Sequence, residues 1–218
     1  MEVDFLQNYF YTPDLSGKAY NEKNTFSDVS PLRELVKLEH LHLNNSEIID
    51  ISPLSSLVKL THLHLGENKI DDISPLGGLT NLTDLFLNRN PFSNIEPLRN
   101  LINLEMLVSM VIYTQISDIS PLSGLTKLDY LWISSDLVCD ITPLGGLTNL
   151  RELGLRCDLL NDITPLGKLI NLEKLDLNSQ LLTDISVVSK LEKLDKLFLR
   201  GSPISDYSPA AHVRDLQK

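Results

Sequence analysis

Four of the chain's five histidines fall in two echoing stretches, "LEHLHL" at Leu38–Leu43 and "LTHLHL" at Leu60–Leu65. Imidazoles at this density can ligate zinc, titrate near neutrality, or present flat polar rings to a partner. If both stretches are extended and adjacent, neighbouring strands lie about 4.8 Å apart and i, i+2 side chains about 6.6 Å apart. His40, His42, His62 and His64 then form a compact rectangle. Zinc needs nitrogens at about 2.0–2.1 Å in a tetrahedral array. Two or three of these rings could share an ion, with Glu39 or Glu67 orienting them. Four from one flat sheet converge poorly, and the spacing matches no standard ligand motif. Close imidazoles also disfavour each other's protonation, so a pH-sensitive contact below neutrality is an alternative. The reading preferred here assigns no metal: the rings are a polar aromatic surface.

The elements that position these rings follow from an internal echo. The phrase Asp-(Ile/Val)-(Ser/Thr)-Pro-Leu begins at Asp28, Asp50, Asp72, Asp118, Asp140 and Asp162, with variants at Asn94, Asp184 and Asp206. Every spacing is 22 residues except that from Asn94 to Asp118, which is 24. Between the phrases runs Leu-x-x-Leu-x-Leu, beginning at Leu38, Leu60, Leu82, Leu150, Leu172 and Leu194; the versions at Leu104 and Leu128 carry Ser109 and Ile133 in the third slot. Alternation in "HLHL" or "KLDL" predicts a short strand that buries one face. Ser52 before Pro53 reads as an N-cap with proline at the first helical position. "PLSSL" and "PLGGL" are too short for an α-helix, which predicts a 3₁₀ turn. No unit can bury its leucines alone, so stacking is obligatory. The predicted fold is an α/β solenoid of eight coils plus caps, with a parallel sheet on the concave side and 3₁₀ turns on the convex side.

The phrase "NKIDDISPLGGLTNLTDLFL" resembles the 22-residue class of leucine-rich repeats, specifically those of internalins, bacterial surface proteins that bind host receptors. It is more distantly similar to the repeats of a regulatory subunit of type-1 protein phosphatase. The family's asparagine after the strand is matched by Asn68 and Asn90, while Ser46, Asp136, Asp158, Gln180 and Ser202 stand at the corresponding slots. The resemblance implies a non-catalytic scaffold whose concave side holds its partner. Residues 27–202 are assigned to the repeats, 1–26 to an N-terminal cap rich in aromatics, and 203–218 to a C-terminal cap, a short helix at most. In the 24-residue unit, two extra residues after Leu107 predict a bulge or extended loop around Met110, Val111, Ile112 and Tyr113.

With leucines inward, the alternate positions line the concavity in three zones. The first is the histidine rectangle. The second is apolar: Phe86, Met106, Val108, Met110, Tyr130 and the sole tryptophan, Trp132. The third is basic, with Arg156, Lys174, Lys196 and Arg200 beside Phe198, tempered by Glu152 and Asp176. Open apolar patches mark interaction sites, and Trp, Tyr and Arg are enriched at binding hot spots. A protein partner is therefore expected on this wall, from a chain that acts as a monomer without a cofactor. Catalysis is not expected: Ser134 and Ser135 share the wall with the histidines but lie three or four coils away, well over about 10 Å.

Composition narrows the partners further. With 29 acidic and 19 basic residues the net charge is −10, which disfavours nucleic acid and anionic membranes. No apolar run is long enough to span a bilayer. The start "MEVDFLQNYFYTPD" lacks a secretory pattern, which favours the cytoplasm, an exported fragment being the alternative. Cys139 and Cys157 sit four repeat positions apart on neighbouring coils, beyond disulfide reach, and are read as free thiols.

Overall fold

The computed structural model describes residues 26–110 and 116–218. Among them are nine strands in one parallel sheet, ordered along the chain. They are β1 (His40–His42), β2 (His62–His64), β3 (Asp84–Phe86), β4 (Met106–Met110), β5 (Tyr130–Ser134), β6 (Glu152–Arg156), β7 (Lys174–Asn178), β8 (Lys196–Phe198) and β9 (Asp215–Gln217). The central leucines stay in step throughout, from Leu41 opposite Leu63 to Leu197 opposite Leu216. Each coil, numbered by its strand, returns through a 3₁₀ turn such as Ser52–Ser56 or Thr142–Gly146. The leucine slots are sealed: Leu63, Leu85, Leu131 and Leu175 have no exposed surface. Burying one such side chain stabilises by about 1.5–3 kcal/mol, and only a neighbouring coil supplies the cover.

The expected Ser N-cap is replaced by a different device. Ile51, not Ser52, flanks the 3₁₀ turn, and it makes no side-chain cap bond. The aspartate that opens each phrase reaches forward two residues instead. Asp50 Oδ1 accepts the Ser52 N–H at 2.7 Å, and the Ser52 hydroxyl donates to Oδ2 at 3.1 Å. The backbone bond recurs in all nine phrases at 2.7–2.9 Å, with Asn94 serving where aspartate is missing. The repeated aspartates are Asx-turn residues that stop the chain before each 3₁₀ turn.

After the strand, two kinds of corner occur, one in the first three coils and the other in coils five to seven. In coils one to three the chain turns through a left-handed residue: Asn45, Glu67 and Arg89 have φ near +55° to +59°. Such conformations cost about 1–3 kcal/mol for residues with a Cβ. Asn68 offsets this in coil two. Its amide donates to Leu43 and Leu65 carbonyls at 2.8 and 2.9 Å, and its oxygen accepts the Ile48 N–H at 3.2 Å. Asn90 repeats the pattern one coil on. In coils five to seven the strands run to five residues and the inward side chain moves one place earlier. Ser135, Cys157 and Ser179 fill the corner, not the Asp136, Asp158 and Gln180 expected from the family pattern. The Ser135 hydroxyl donates to the Ile116 carbonyl and that of Ser179 to Leu160. Cys157 is buried, which pushes its thiol up to about 12; Cys139 is exposed.

Two further expectations change. The segment read as a helical cap carries a ninth 3₁₀ turn (Ser208–Ala210) and a ninth strand instead. Asp206 supplies the same Asx turn there, and Leu216 continues the leucine row. In coil four the register with β5 is unbroken to Met110, opposite Ser134, which narrows the place of the two extra residues from after Leu107 to between Met110 and Ile116. The aromatic stretch in residues 1–25, Val111, Ile112, Tyr113 and the Met110 side chain lie outside the described residues.

These arrangements rank three substitutions. Asn68→Ala strands buried carbonyls and an N–H and is expected to cost about 2–4 kcal/mol in urea unfolding. Asp50→Ala, at an exposed turn, costs less than Asn68→Ala. Ser109 occupies a leucine slot with a buried hydroxyl that has no hydrogen-bond partner among the described residues. Ser109→Ala is therefore neutral or stabilising by up to about 1 kcal/mol.

Candidate functional site: the concave wall

Inward leucines force the alternate residues onto one open wall, and the parallel register sets them in columns. The middle column is a run of rings. His42 stacks on His64 with centroids 4.1 Å apart at 29°, and His64 meets Phe86 at 4.1 Å, tilted by 49°. Val108 follows, then Trp132. The next place is Gly154, and the indole lies over it. A Cβ at Gly154 would sit 2.4 Å from Trp132 Cδ2. Glycine is thus required here by close approach, not by backbone conformation. The Arg156 Cζ lies 5.6 Å from the indole centroid, within cation–π range. Trp132 is half-buried, and its Nε1–H is buried without a hydrogen-bond partner among the described residues.

The outer histidine column is held differently. His40 stacks on His62 at 4.2 Å. Thr61 Oγ1 lies 2.8 Å from His62 Nδ1, and Asp84 Oδ2 lies 3.2 Å from Nε2. The rectangle therefore exists, but as two pairs of stacked rings whose nitrogens do not face a common point. Asp84, not Glu39 or Glu67, is the carboxylate that meets it. Among the described residues no group of three or more His, Cys, Asp or Glu is placed to hold a metal ion. Burial, with lesser repulsion from His42 and His62, drives His64 down to about 3. His42 is also lowered, first by burial and then by His40 and His62.

Of the residues expected on the wall, Phe86, Met106, Val108, Trp132 and Phe198 are half-buried and share it. Tyr130 is more enclosed than expected, with 8% of its surface exposed. Burial, helped by Glu152 and Asp176, pushes its phenol up to about 12, so it remains a neutral hydroxyl. The basic zone is partly neutralised. Lys174 Nζ binds Glu152 Oε2 at 3.0 Å, and Arg200 donates to Gln217 Oε1 at 3.2 Å while sitting 5.5 Å over the Phe198 ring. Lys196 is exposed. Asp176 is buried between Gly154 and Phe198, and burial raises its pKa against the pull of Arg156, Arg200 and Lys174. Gly154 and Asp84 were not selected from sequence. A lone glycine one repeat after the only tryptophan was the available signal for Gly154.

The wall carries broad, shallow chemistry. Beside it, a hollow of about 430 Å³ lined by Asp84, Glu105, Met106, Lys127, Asp129, Asn149 and Arg151 is open to solvent. Arg151 is spent there on a two-bond fork to Asp129 at 2.5 and 2.8 Å.

The family described as "Leucine Rich repeats (2 copies)" matches at residues 36–79 and again at 58–100. No curated protein matches the chain by sequence. Among solved structures, an internalin (inlF) of Listeria monocytogenes is 39% identical over 89% of this chain, with a TM-score of 0.80; the chain spans 57% of that structure's length. An internalin C2 of the same organism is 32% identical, with 82% of this chain and 79% of that one covered and a TM-score of 0.74. A leucine-rich-repeat protein of Leptospira interrogans is 26% identical, with 84% and 54% covered and a TM-score of 0.66. An unbroken leucine register, Asx-turned 3₁₀ returns and these likenesses agree: the chain belongs to the internalin-type leucine-rich-repeat proteins.

Proposed function

We propose that the chain is a non-catalytic protein-binding module that grips a protein partner on its concave wall, with Trp132 at the centre. The observation that carries this reading is the indole laid over Gly154 and under Arg156. A half-buried tryptophan fixed in this way offers a rigid ring face at little entropic cost, and tryptophan and arginine dominate binding hot spots. The neighbouring stack of Phe86, His64 and His42 extends the surface with neutral rings. Lys196 and Arg156 favour an acidic region on the partner despite the acidic whole. The internalin-type relationship makes an exposed protein of a host cell the partner to try first. The phosphatase-subunit resemblance has no further observation in its favour.

Trp132→Ala is expected to weaken partner binding by at least about 2 kcal/mol, roughly 30-fold. Gly154→Ala should do nearly the same by evicting the indole. Because Trp132 is the only tryptophan, its emission in Gly154→Ala should shift to the red, while the unfolding midpoint moves little. Unchanged binding in both variants would remove the wall's centre from the interface.

The stack also sets a pH dependence. His64 ordinarily titrates at 6.5 and is held near 3 in the folded chain. The unfolded chain therefore binds the extra proton throughout that interval. Stability is fully present above pH 6.5 and is lost as pH falls toward 3, at up to about 1.4 kcal/mol per pH unit. Turn carboxylates such as Asp50, held below their ordinary 3.8 by the Ser52 N–H, lose their contribution only as pH falls through 3.8 and below. Urea unfolding at pH 7 and 4.5 should thus show a smaller loss for His64→Phe than for the unaltered chain. Equal losses would mean that His64 is not kept neutral by burial.

A further inference from the structure

The corners of coils five to seven carry a second surface, on the flank where the chain leaves the sheet. Leu137, Leu159 and Leu181 occupy the same repeat position on three consecutive coils. They are 37%, 44% and 49% exposed, although the residues one place on, Val138, Leu160 and Leu182, are sealed in the core. Elsewhere among the described residues the position holds Glu47 and Lys69, which form an ion pair, then Pro91 and Pro203. Neighbouring coils in a parallel sheet are about 4.8 Å apart, so the three leucines form a straight apolar ridge.

Charge around the ridge is of one sign. Asp136 and Asp158 precede two of the leucines, and Asp140, Asp162 and Asp184 follow three residues after each. Segments 135–140, 157–162 and 179–184 contain no lysine or arginine. Asp140, Asp162 and Asp184 accept only uncharged N–H and hydroxyl donors in their Asx turns, and Asp158 accepts the Gln180 amide at 3.0 Å, so none of these bonds cancels charge. Arg156, at the end of β6, is turned over Trp132 instead.

We propose that this ridge docks a cationic amphipathic helix of a protein partner, lying along the solenoid axis. Side chains at i and i+4 of a helix stand about 5–6 Å apart, which matches the step between the leucines. Lysines or arginines flanking such a stripe meet Asp136 and Asp158 on one side and the turn aspartates on the other. A second copy of this chain is a poor occupant, because its net charge is −10 and its own ridge is acidic. Anionic lipid is disfavoured for the same reason. The surface is separate from the concave wall, and the proposal stands whether or not that wall binds.

The test uses the whole chain and a short labelled synthetic helix with leucines at i, i+4 and i+7 flanked by lysines, followed by fluorescence anisotropy. Combining Leu137→Ser, Leu159→Ser and Leu181→Ser should weaken binding by at least about tenfold, and Trp132→Ala should leave it unchanged. Asp136→Asn with Asp158→Asn should weaken it severalfold and flatten its salt dependence; this pair and Leu159→Ser alone decide the matter if the triple variant folds poorly. A peptide with glutamates for lysines should not bind. Equal binding by the leucine variants, equal binding of the glutamate peptide, or a dimer of the unaltered chain that the leucine variants dissolve would each overturn the proposal.

Discussion

Everything in this molecule depends on the leucine row staying in step from coil to coil. One coil exposes most of its own apolar surface, and only its neighbours remove that surface from water. The row from Leu41 to Leu216 therefore acts as the register of the whole sheet. A slip of one residue would exchange every leucine with a wall residue, placing histidines, Trp132 and Arg156 in the core at prohibitive desolvation cost. The wall's composition thus helps to hold the register, besides being displayed by it.

Polar devices then define where each coil bends. Asx turns begin every 3₁₀ segment, and the corners after the strands are closed by whichever inward side chain can satisfy several backbone groups at once. Asparagine does this with two donors and an acceptor around Asn68 and Asn90. Serine achieves it with one hydroxyl in coils five and seven, where the longer strands bring the carbonyl closer. Cys157 takes the same place with a side chain of little hydrogen-bonding strength. The solenoid is therefore uniform in register but not in its corners.

That contrast explains what the sequence made readable. The 22-residue period, the inward leucines and the columns of the wall all follow from spacing, because spacing alone decides which way a strand residue points. What escaped lies in interactions between coils. Ser52 beside Pro53 has the look of a cap, but its hydroxyl donates back to the Asp50 carboxylate, and the Leu54 N–H goes to the Ile51 carbonyl. Asp136, Asp158 and Gln180 matched the family's slot by count, yet strand lengthening moved the inward place to Ser135, Cys157 and Ser179. The C-terminal stretch has too few leucines to announce a coil, but Asp206 and Leu216 suffice when β8 already provides a template. At the wall, the enclosure of Tyr130 and His64 depends on neighbours 22 residues away.

The two-residue insertion in coil four has a broader meaning. Strand β4 keeps its pairing to Met110, and the core row is recovered by Ile116. The pairing of β4 and the core place of Ile116 are thus kept across the added length. The order of side chains along the wall is accordingly set strand by strand, independent of how many residues join one strand to the next core position.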